Sequence, residues 1–308
     1  MKKKKTKVAL FSGGVGGAKM AESISFLPDT SLKILSNVAD DDYFHGLYVS
    51  PDIDTLVYTL SGKVNKKSGW GVKNDSFKAL ETLQNLGNQS WMNLGDYDLG
   101  LHIFRTNLLN KGYNLSEITS KIVQKFNIMQ EIIVPTNDPV RTRILSEKGW
   151  LSFQEFFVRE RCKTKIFQIK FQGINKARVT NDTIKTINEA DLILFGPSNP
   201  IVSINPILRI KNIKKTVLNS KSIKVAVSPI VSGKAIKGPA KEMLISEGFE
   251  GTVYGVAKFY KDLIDVIIID NSDYKYAKEI EKLNIKVICY DIVLNSKNKK
   301  LKLAKKII

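Results

Sequence analysis

The stretch Val8-Ala9-Leu10-Phe11-Ser12-Gly13-Gly14-Val15-Gly16-Gly17-Ala18-Lys19 decides the fold. An apolar run from Val8 to Phe11 passes through Ser12 into glycines, and a helix follows from about Ala18. A buried strand that empties into glycines at a helix start presents backbone N–H groups, and the helix dipole favours negative charge there. That is a phosphate-binding arrangement. It fails the two common patterns. A Walker A loop ends in Gly-Lys-Ser/Thr, whereas Lys19 lies between Ala18 and Met20. The dinucleotide fingerprint Gly-x-Gly-x-x-Gly, counted from Gly14, meets Lys19 where its last glycine belongs. ATPase and NAD readings are thereby removed. The plainer alternative is a tight turn whose glycines supply geometry alone.

Outward from this stretch, strand-like runs alternate with helical patterns. Residues 33–38, 132–134, 192–195, 225–227, 266–270 and 286–289 read as strands. Helices are expected at 75–86, with Phe77, Leu80, Leu83 and Leu86 on one face, and at 98–109, 239–247, 256–264 and 272–283. Asn114 and Glu117 form a capping-box pattern that opens a helix through Phe126. The lysine-rich stretch from Lys297 reads as a solvated last helix. Such alternation predicts an α/β fold: a Rossmann-like, doubly wound, mostly parallel sheet with ligands beyond the carboxyl ends of its strands. No linker or repeat divides residues 1–308, so one domain is expected. Between about 144 and 175 the pattern turns aromatic and alternating (Phe167, Ile169, Phe171), which predicts a small inserted subdomain covering the site.

With 308 residues, 43% hydrophobic and 25% charged, the chain can bury a substantial core. No apolar run reaches the length of a membrane span. The basic run Lys2 to Lys5 precedes an apolar stretch that ends at Phe11, too short for a secretory signal, so a cytoplasmic protein is expected. Cys162, Cys289, His45 and His102 lack structural-zinc spacing. The net charge of +18 is mostly lysine spread along the chain, alongside abundant isoleucine and asparagine, as A/T-biased codons would give. Without nucleic-acid motifs beside it, this charge implies no nucleic-acid partner. A basic field does favour an anionic substrate.

Four further segments carry chemistry. Asn37-Val38-Ala39-Asp40-Asp41-Asp42 puts adjacent acids after a strand, where they want a cation, a basic partner or open water. In Ser50-Pro51-Asp52-Ile53-Asp54-Thr55 the two acids share one side if the segment is extended, and could hold Mg²⁺ or accept a hydroxyl proton. Helix capping by Asp54 or Thr55 is the plainer reading. Leu94-Gly95-Asp96-Tyr97-Asp98 leads into His102 and Arg105, which share a helical face with Asp98. That face is either a surface ion-pair cluster or a phosphate-facing arginine beside an oriented histidine. Gly196-Pro197-Ser198-Asn199-Pro200 follows a strand as a rigid turn, a second candidate phosphate loop.

These segments, with SPDIDTLVYTLSG, GWGVKNDSF, LGDYDLGLHIFRTN, PTNDPVRT, LSFQEFFVR, GPSNPIVSINPIL and VAVSPIVSGKAIKGPAKEM, resemble the 2-phospho-L-lactate transferases of deazaflavin coenzyme F420 biosynthesis, the CofD family. The likeness runs to about Asp270. The gluconeogenesis-factor-like proteins, which bind nucleotide sugars, share the glycine loop and form the alternative. The resemblance implies a donor in which guanosine diphosphate activates a three-carbon acid. It implies attack by the ribityl hydroxyl of Fo (7,8-didemethyl-8-hydroxy-5-deazariboflavin), release of GMP, a need for Mg²⁺, and a homodimer. It assigns Asp54, with Asp52 beside it, to the acceptor hydroxyl, and Asn93, Asp96 and His102 to the Fo side. At Asn93 it would lead one to expect Lys, Arg or Gln. Ser12, Gly13, Gly14, Gly16, Gly17, Lys19, Gly196, Ser198 and Asn199 fall to the donor nucleotide. Asp54, Asp96 and Asp40 are the metal candidates. On this reading Asp54→Asn removes turnover and leaves the fold intact.

Overall fold

The computed structural model describes residues 5–88 and 91–308, so Lys2 to Lys4 of the basic run lie outside it. Strand β1 is Thr6–Ser12, β2 Thr30–Ser36, β3 Glu131–Ile133, β4 Leu192–Phe195, β5 Ile223–Val227, β6 Val266–Ile269 and β7 Lys286–Cys289. They form one seven-stranded sheet in the order β7-β6-β5-β4-β1-β2-β3. Every neighbouring pair is parallel. The chain starts at β1, winds out through β2 to β3, then crosses back to β4 on the other side of β1. The switch point therefore lies between β1 and β4, where the two loops that follow diverge and open a crevice. The expected α/β class and sheet are borne out.

The strands are apolar on both faces because helices cover both. Val8 and Leu10 join a core with Ile34, Leu194 and Val227, whereas Ala9 and Phe11 point the other way, toward Leu35, Ile193 and Phe195. The first core is closed by helices α1 (Gly14–Ser25), α2 (Pro51–Leu60) and, through Leu303 and Ala304, the C-terminal helix Lys297–Ile307. That last helix is thus not merely solvated. Most of its lysines lie outside, but Lys300 pairs with Glu22 of α1 and its apolar stripe is buried against that helix. Each fully buried large apolar side chain contributes about 1.5–3 kcal/mol, and the sheet centre is built of them.

Helix α3 is Lys78–Asn85, α4 Asp96–Asn110 and α5 Leu115–Lys125. The capping box at Asn114 and Glu117 forms as the pattern requires. On α3 only Leu80 is buried, so the apolar face expected over 75–86 is largely solvent-exposed. The stretch 272–283 divides into a 3₁₀ segment, Asn271–Tyr276, and the short helix Ala277–Glu281. The aromatic segment forms a three-stranded antiparallel sheet of Gly149–Ser152, Arg141–Ser146 and Ile166–Gln172, beginning a few residues before the expected boundary. Phe171 is buried while Phe167 is exposed, and the pairing shifts register at Leu145/Ser146. A π-helical turn, Glu155–Arg159, carries Phe157 over the crevice and buries Phe156 in the core.

Candidate active site

The loops after β1, β2 and β4 meet at the switch point and line a cavity of about 190 Å³ with Gly13, Gly14, Gly16, Lys19, Asp40, Asp52, Ser198 and Asn199 on its walls. Ser198 ties the two glycine-bearing loops together. Its Oγ accepts from the Gly13 N–H at 3.1 Å and donates to the Gly13 carbonyl at 2.8 Å. The Gly14 N–H donates to Asp52 Oδ1 at 2.7 Å. Two of the donors at the start of α1 are therefore spoken for. The N–H groups of Val15 and Gly16 have no carbonyl four residues back within the helix, so they are the ones free to meet a ligand. Ser12, Gly17 and Gly196 do not line the cavity. A Cβ at Gly17 would press on Ser12 Oγ and Ser198 Oγ, which makes this glycine a requirement of helix-to-loop packing.

Lys19 and Lys237 stand on the walls of the same cavity. Burial, then Lys300, lowers the Lys19 ammonium against the opposing pull of Glu22; burial, then Lys19, lowers Lys237. Two cations that repel each other across a cavity are relieved by an anion between them.

Asn37 organises the acids. Its Nδ2 donates to Asp40 Oδ2 at 3.1 Å, to Asp52 Oδ2 at 2.9 Å and to the Val202 carbonyl at 3.2 Å. Asp40 Oδ1 is buried without a hydrogen-bond partner. Burial, then the charge of Asp52, pushes the Asp40 carboxyl well above the usual range. Burial also pushes Asp52 up to about 6, against the hydrogen bonds from Asn37 and Gly14. Next to them Asp41, pushed by burial to about 7, accepts from Ser50 Oγ at 2.6 Å and from the Tyr48 hydroxyl at 2.9 Å. Among the described residues no three His, Cys, Asp or Glu side chains form a complete metal cage. Asp40 and Asp52 nevertheless fit a divalent cation. They are adjacent, buried and mutually repelling, one oxygen is orphaned, and Mg²⁺ commonly takes one or two carboxylates with its remaining positions on phosphates and water.

The segment Ser50–Thr55 is not extended. Pro51 opens α2, and Asp52 and Asp54 stand in its first turn. Positions two apart on a helix do not face each other. Asp52 accordingly faces the glycine-loop cavity, whereas Asp54 lines a second cavity of about 290 Å³ with Tyr58, Asn93, Asp98 and His102. The two cavities share Pro51, Thr55, Trp70 and Gln154.

Asp54 is not free there. Both its oxygens accept from Arg105, through Nη1 at 3.2 Å and through Nη2, and the arginine is fully buried. The surface ion pairs and the phosphate-facing arginine expected on this face of α4 are both replaced by an internal ion pair. His102 Nδ1 lies 3.2 Å from Arg105 Nη1, and its Nε2 lies 3.3 Å from Asp98 Oδ1. Asp96 lines neither cavity. Its carboxylate accepts from Ser76 Oγ and from the N–H groups of Lys78 and Ala79, and so caps α3. That removes it from the metal and Fo candidates for a physical reason: its oxygens are spent on a helix start.

The family model described as "2-phospho-L-lactate transferase CofD" matches residues 8–306. The chain belongs to the CofD family. Among similar proteins, 2-phospho-L-lactate transferases from Methanocaldococcus jannaschii and Methanococcus vannielii are each 34% identical, over 98% of this chain and 97% of theirs. The one from Methanococcoides burtonii is 32% identical over 97% of both. This member of the CofD family is accordingly an enzyme, a transferase. Two crystal structures of a Bacillus halodurans protein, one described as a member of the UPF0052 family, share its fold at a TM-score of 0.66. They are 19% and 18% identical and cover 99% of this chain and 99% and 100% of theirs.

Several cavity residues of this CofD chain were not singled out by the motifs. Phe153 and Phe157 stack at 5.6 Å, and Trp70 meets Phe157 edge-on at 5.9 Å, forming an aromatic wall above the junction. Lys237 donates to the Ser68 carbonyl and so ties the Trp70 loop to the segment after β5. All of them lie inside the segments GWGVKNDSF, LSFQEFFVR and VAVSPIVSGKAIKGPAKEM, which was the available signal, but nothing in those segments marked them out from their neighbours.

Proposed function

We propose that this chain transfers a phospholactyl-type group (phospholactate, or its phosphoenolpyruvate or phosphoglycerate equivalent) from a guanosine diphosphate-linked donor to the ribityl hydroxyl of Fo, releasing GMP. One observation carries this reading: two cavities, one basic with a glycine loop and one lined by polar groups and aromatics, meet at the first turn of α2. A transfer between two bound molecules needs that layout, because holding both reactants in line removes most of the entropic barrier.

In this reading the diphosphate lies against the Val15 and Gly16 N–H groups and between Lys19 and Lys237. Fo occupies the second cavity beside Asn93 and His102, its ring against Trp70. The Fo hydroxyl attacks the phosphorus nearer the acid, and the departing oxygen leaves with GMP. Charge grows on the phosphoryl oxygens, so fixed N–H groups and lysines aimed at them supply most of the acceleration. Asp40 and Asp52 would hold Mg²⁺, which when bound neutralises phosphate charge. Asp54, paired with Arg105, fixes the wall between the cavities. The outer face of α4, where Tyr97, Ile103 and Phe104 are exposed, suits a homodimer contact; no described helix is long and apolar enough to cross a membrane, and we place the reaction in the cytoplasm.

The test is incubation with Fo, Mg²⁺ and each guanylylated three-carbon acid in turn, with mass spectrometry of the products. GMP and a deazaflavin phosphodiester should appear together with at least one donor. Absence of both with every donor overturns the reading, and tight uridine diphosphate-sugar binding without Fo affinity would favour the nucleotide-sugar alternative.

A further inference from the structure

We infer that Asp98 accepts the proton of the attacking hydroxyl in the second cavity. The inference rests on the proposed transfer and assigns within it a role that Asp54 is badly placed to fill. Asp54 accepts from Arg105 on both oxygens and from the Ser50 N–H on Oδ2, and the buried guanidinium neutralises its charge, which makes it a poor proton acceptor. Asp98 lines the same cavity and is differently held. Its Oδ1 accepts from the Tyr58 hydroxyl at 2.5 Å. His102 stands beside the same oxygen without hydrogen-bond geometry. Arginine can only donate, so Arg105 Nη1, 3.2 Å from His102 Nδ1, requires that nitrogen to be the acceptor. The ring proton is then on Nε2, 3.3 Å from Asp98 Oδ1. Asp98 Oδ2 takes no hydrogen bond from any described residue, and the side chain is 15% exposed, so water reaches it.

The groups facing Asp98 are thus Tyr58 from α2, and His102 and Arg105 from α4; Asp75, from the loop before α3, accepts the Asp98 N–H at 3.3 Å. Burial pushes the Asp98 carboxyl up, but its contacts with His102 and Tyr58 and the charge of Arg105 hold it below its ordinary value. It stays ionised over the working range, a strong hydrogen-bond acceptor and a weak base. That suits phosphoryl transfer through a loose transition state, in which the hydroxyl proton leaves late. The bond from the Fo oxygen to phosphorus forms, and the bridging bond to GMP breaks with its electron pair going to GMP. The hydroxyl proton passes to Asp98 Oδ2 and then to water.

The test compares wild type, Asp98→Asn and Tyr58→Phe in steady-state turnover, with Fo binding followed by its fluorescence and folding by thermal unfolding. Asp98→Asn keeps the shape and the Oδ1 contacts but offers an N–H₂ where the proton must be taken up. Its kcat should fall on the order of 100-fold or more, the contribution expected of a positioned proton acceptor, with KM for the donor and Kd for Fo within about threefold. Tyr58→Phe removes the hydrogen bond on Oδ1 and keeps the carboxylate, so its kcat should fall by roughly three- to tenfold. A purely structural Asp98 would make both variants lose melting temperature and turnover in parallel. Asp98→Asn turning over within about threefold of wild type overturns the assignment. Should Asp98→Asn not fold, Tyr58→Phe at the full wild-type rate does so instead. Wild type that turns over no donor overturns the transfer reading itself, and the role of Asp98 with it.

Discussion

Asp52 and Asp54 are two residues apart and serve different cavities, because Pro51 starts a helix where a strand would have put them side by side. In the sequence the pair was legible as chemistry, but the division of labour was not, since it depends on Arg105, which is 51 positions away. Taken as a motif, Asp54→Asn is a loss of turnover in an intact fold. The ion pair changes that expectation. Removing one partner of a buried charge pair strands the other, at about 3–5 kcal/mol. Asp54→Asn should therefore lower the urea midpoint strongly, and Arg105→Met should do the same. An unchanged midpoint in Asp54→Asn would show that the pair is not what holds α2 to α4. Asp40 and Asp52 make the opposite case: they repel, so Asp40→Asn should be stability-neutral or better without metal. The same variant should lose the rise in melting temperature that MgCl₂ gives the wild type, and an equal rise in both would remove Asp40 as a ligand.

The glycine loop shows how an element can be read correctly for incomplete reasons. A strand, a turn and a helix were legible from residues 6–25, because period, turn chemistry and the following apolar face agree, but the helix begins at Gly14 rather than near Ala18, so Gly14, Gly16 and Gly17 form its first turn. What the pattern cannot say is which N–H groups remain available. Ser198, 185 positions away, takes the Gly13 N–H, and Asp52 takes that of Gly14. Most of these glycines are required by what lies against them. A Cβ on Gly16 would overlap the Pro197 carbonyl oxygen, which is backbone and cannot swing aside. Gly16→Ala should thus push the β1 and β4 loops apart. It should cost about 1–3 kcal/mol as an overpacking change and weaken donor-nucleotide binding more than Fo binding, measured by calorimetry. Gly14, with φ of 62° and open space around its Cα, is kept by backbone conformation alone.

At the scale of the molecule, strand order does the organising. Parallel strands send all their outgoing loops to one edge, and the crossing from β3 back to β4 opens the crevice beside β1. Alternation in the sequence was enough to predict this sheet. It was not enough to predict a second cavity, whose walls come from α2, α4, the Trp70 loop and the π-helical turn of the inserted sheet, joined by contacts between positions distant in the chain. The cavities share a wall of Pro51, Thr55, Trp70 and Gln154, and neither is lined by a cysteine. A shared wall lets two bound molecules react directly, with no group parked on the protein between half-reactions. Varying the donor at several fixed Fo concentrations should then give double-reciprocal lines that intersect, the mark of a ternary complex. Parallel lines, or GMP released in a burst before Fo is added, would mean that the enzyme carries the group covalently and that the two cavities act in turn. Trp70→Ala offers a check on the same geometry. Because the indole borders both cavities, its loss should raise KM for donor and acceptor together, whereas Lys19→Ala should raise that of the donor alone.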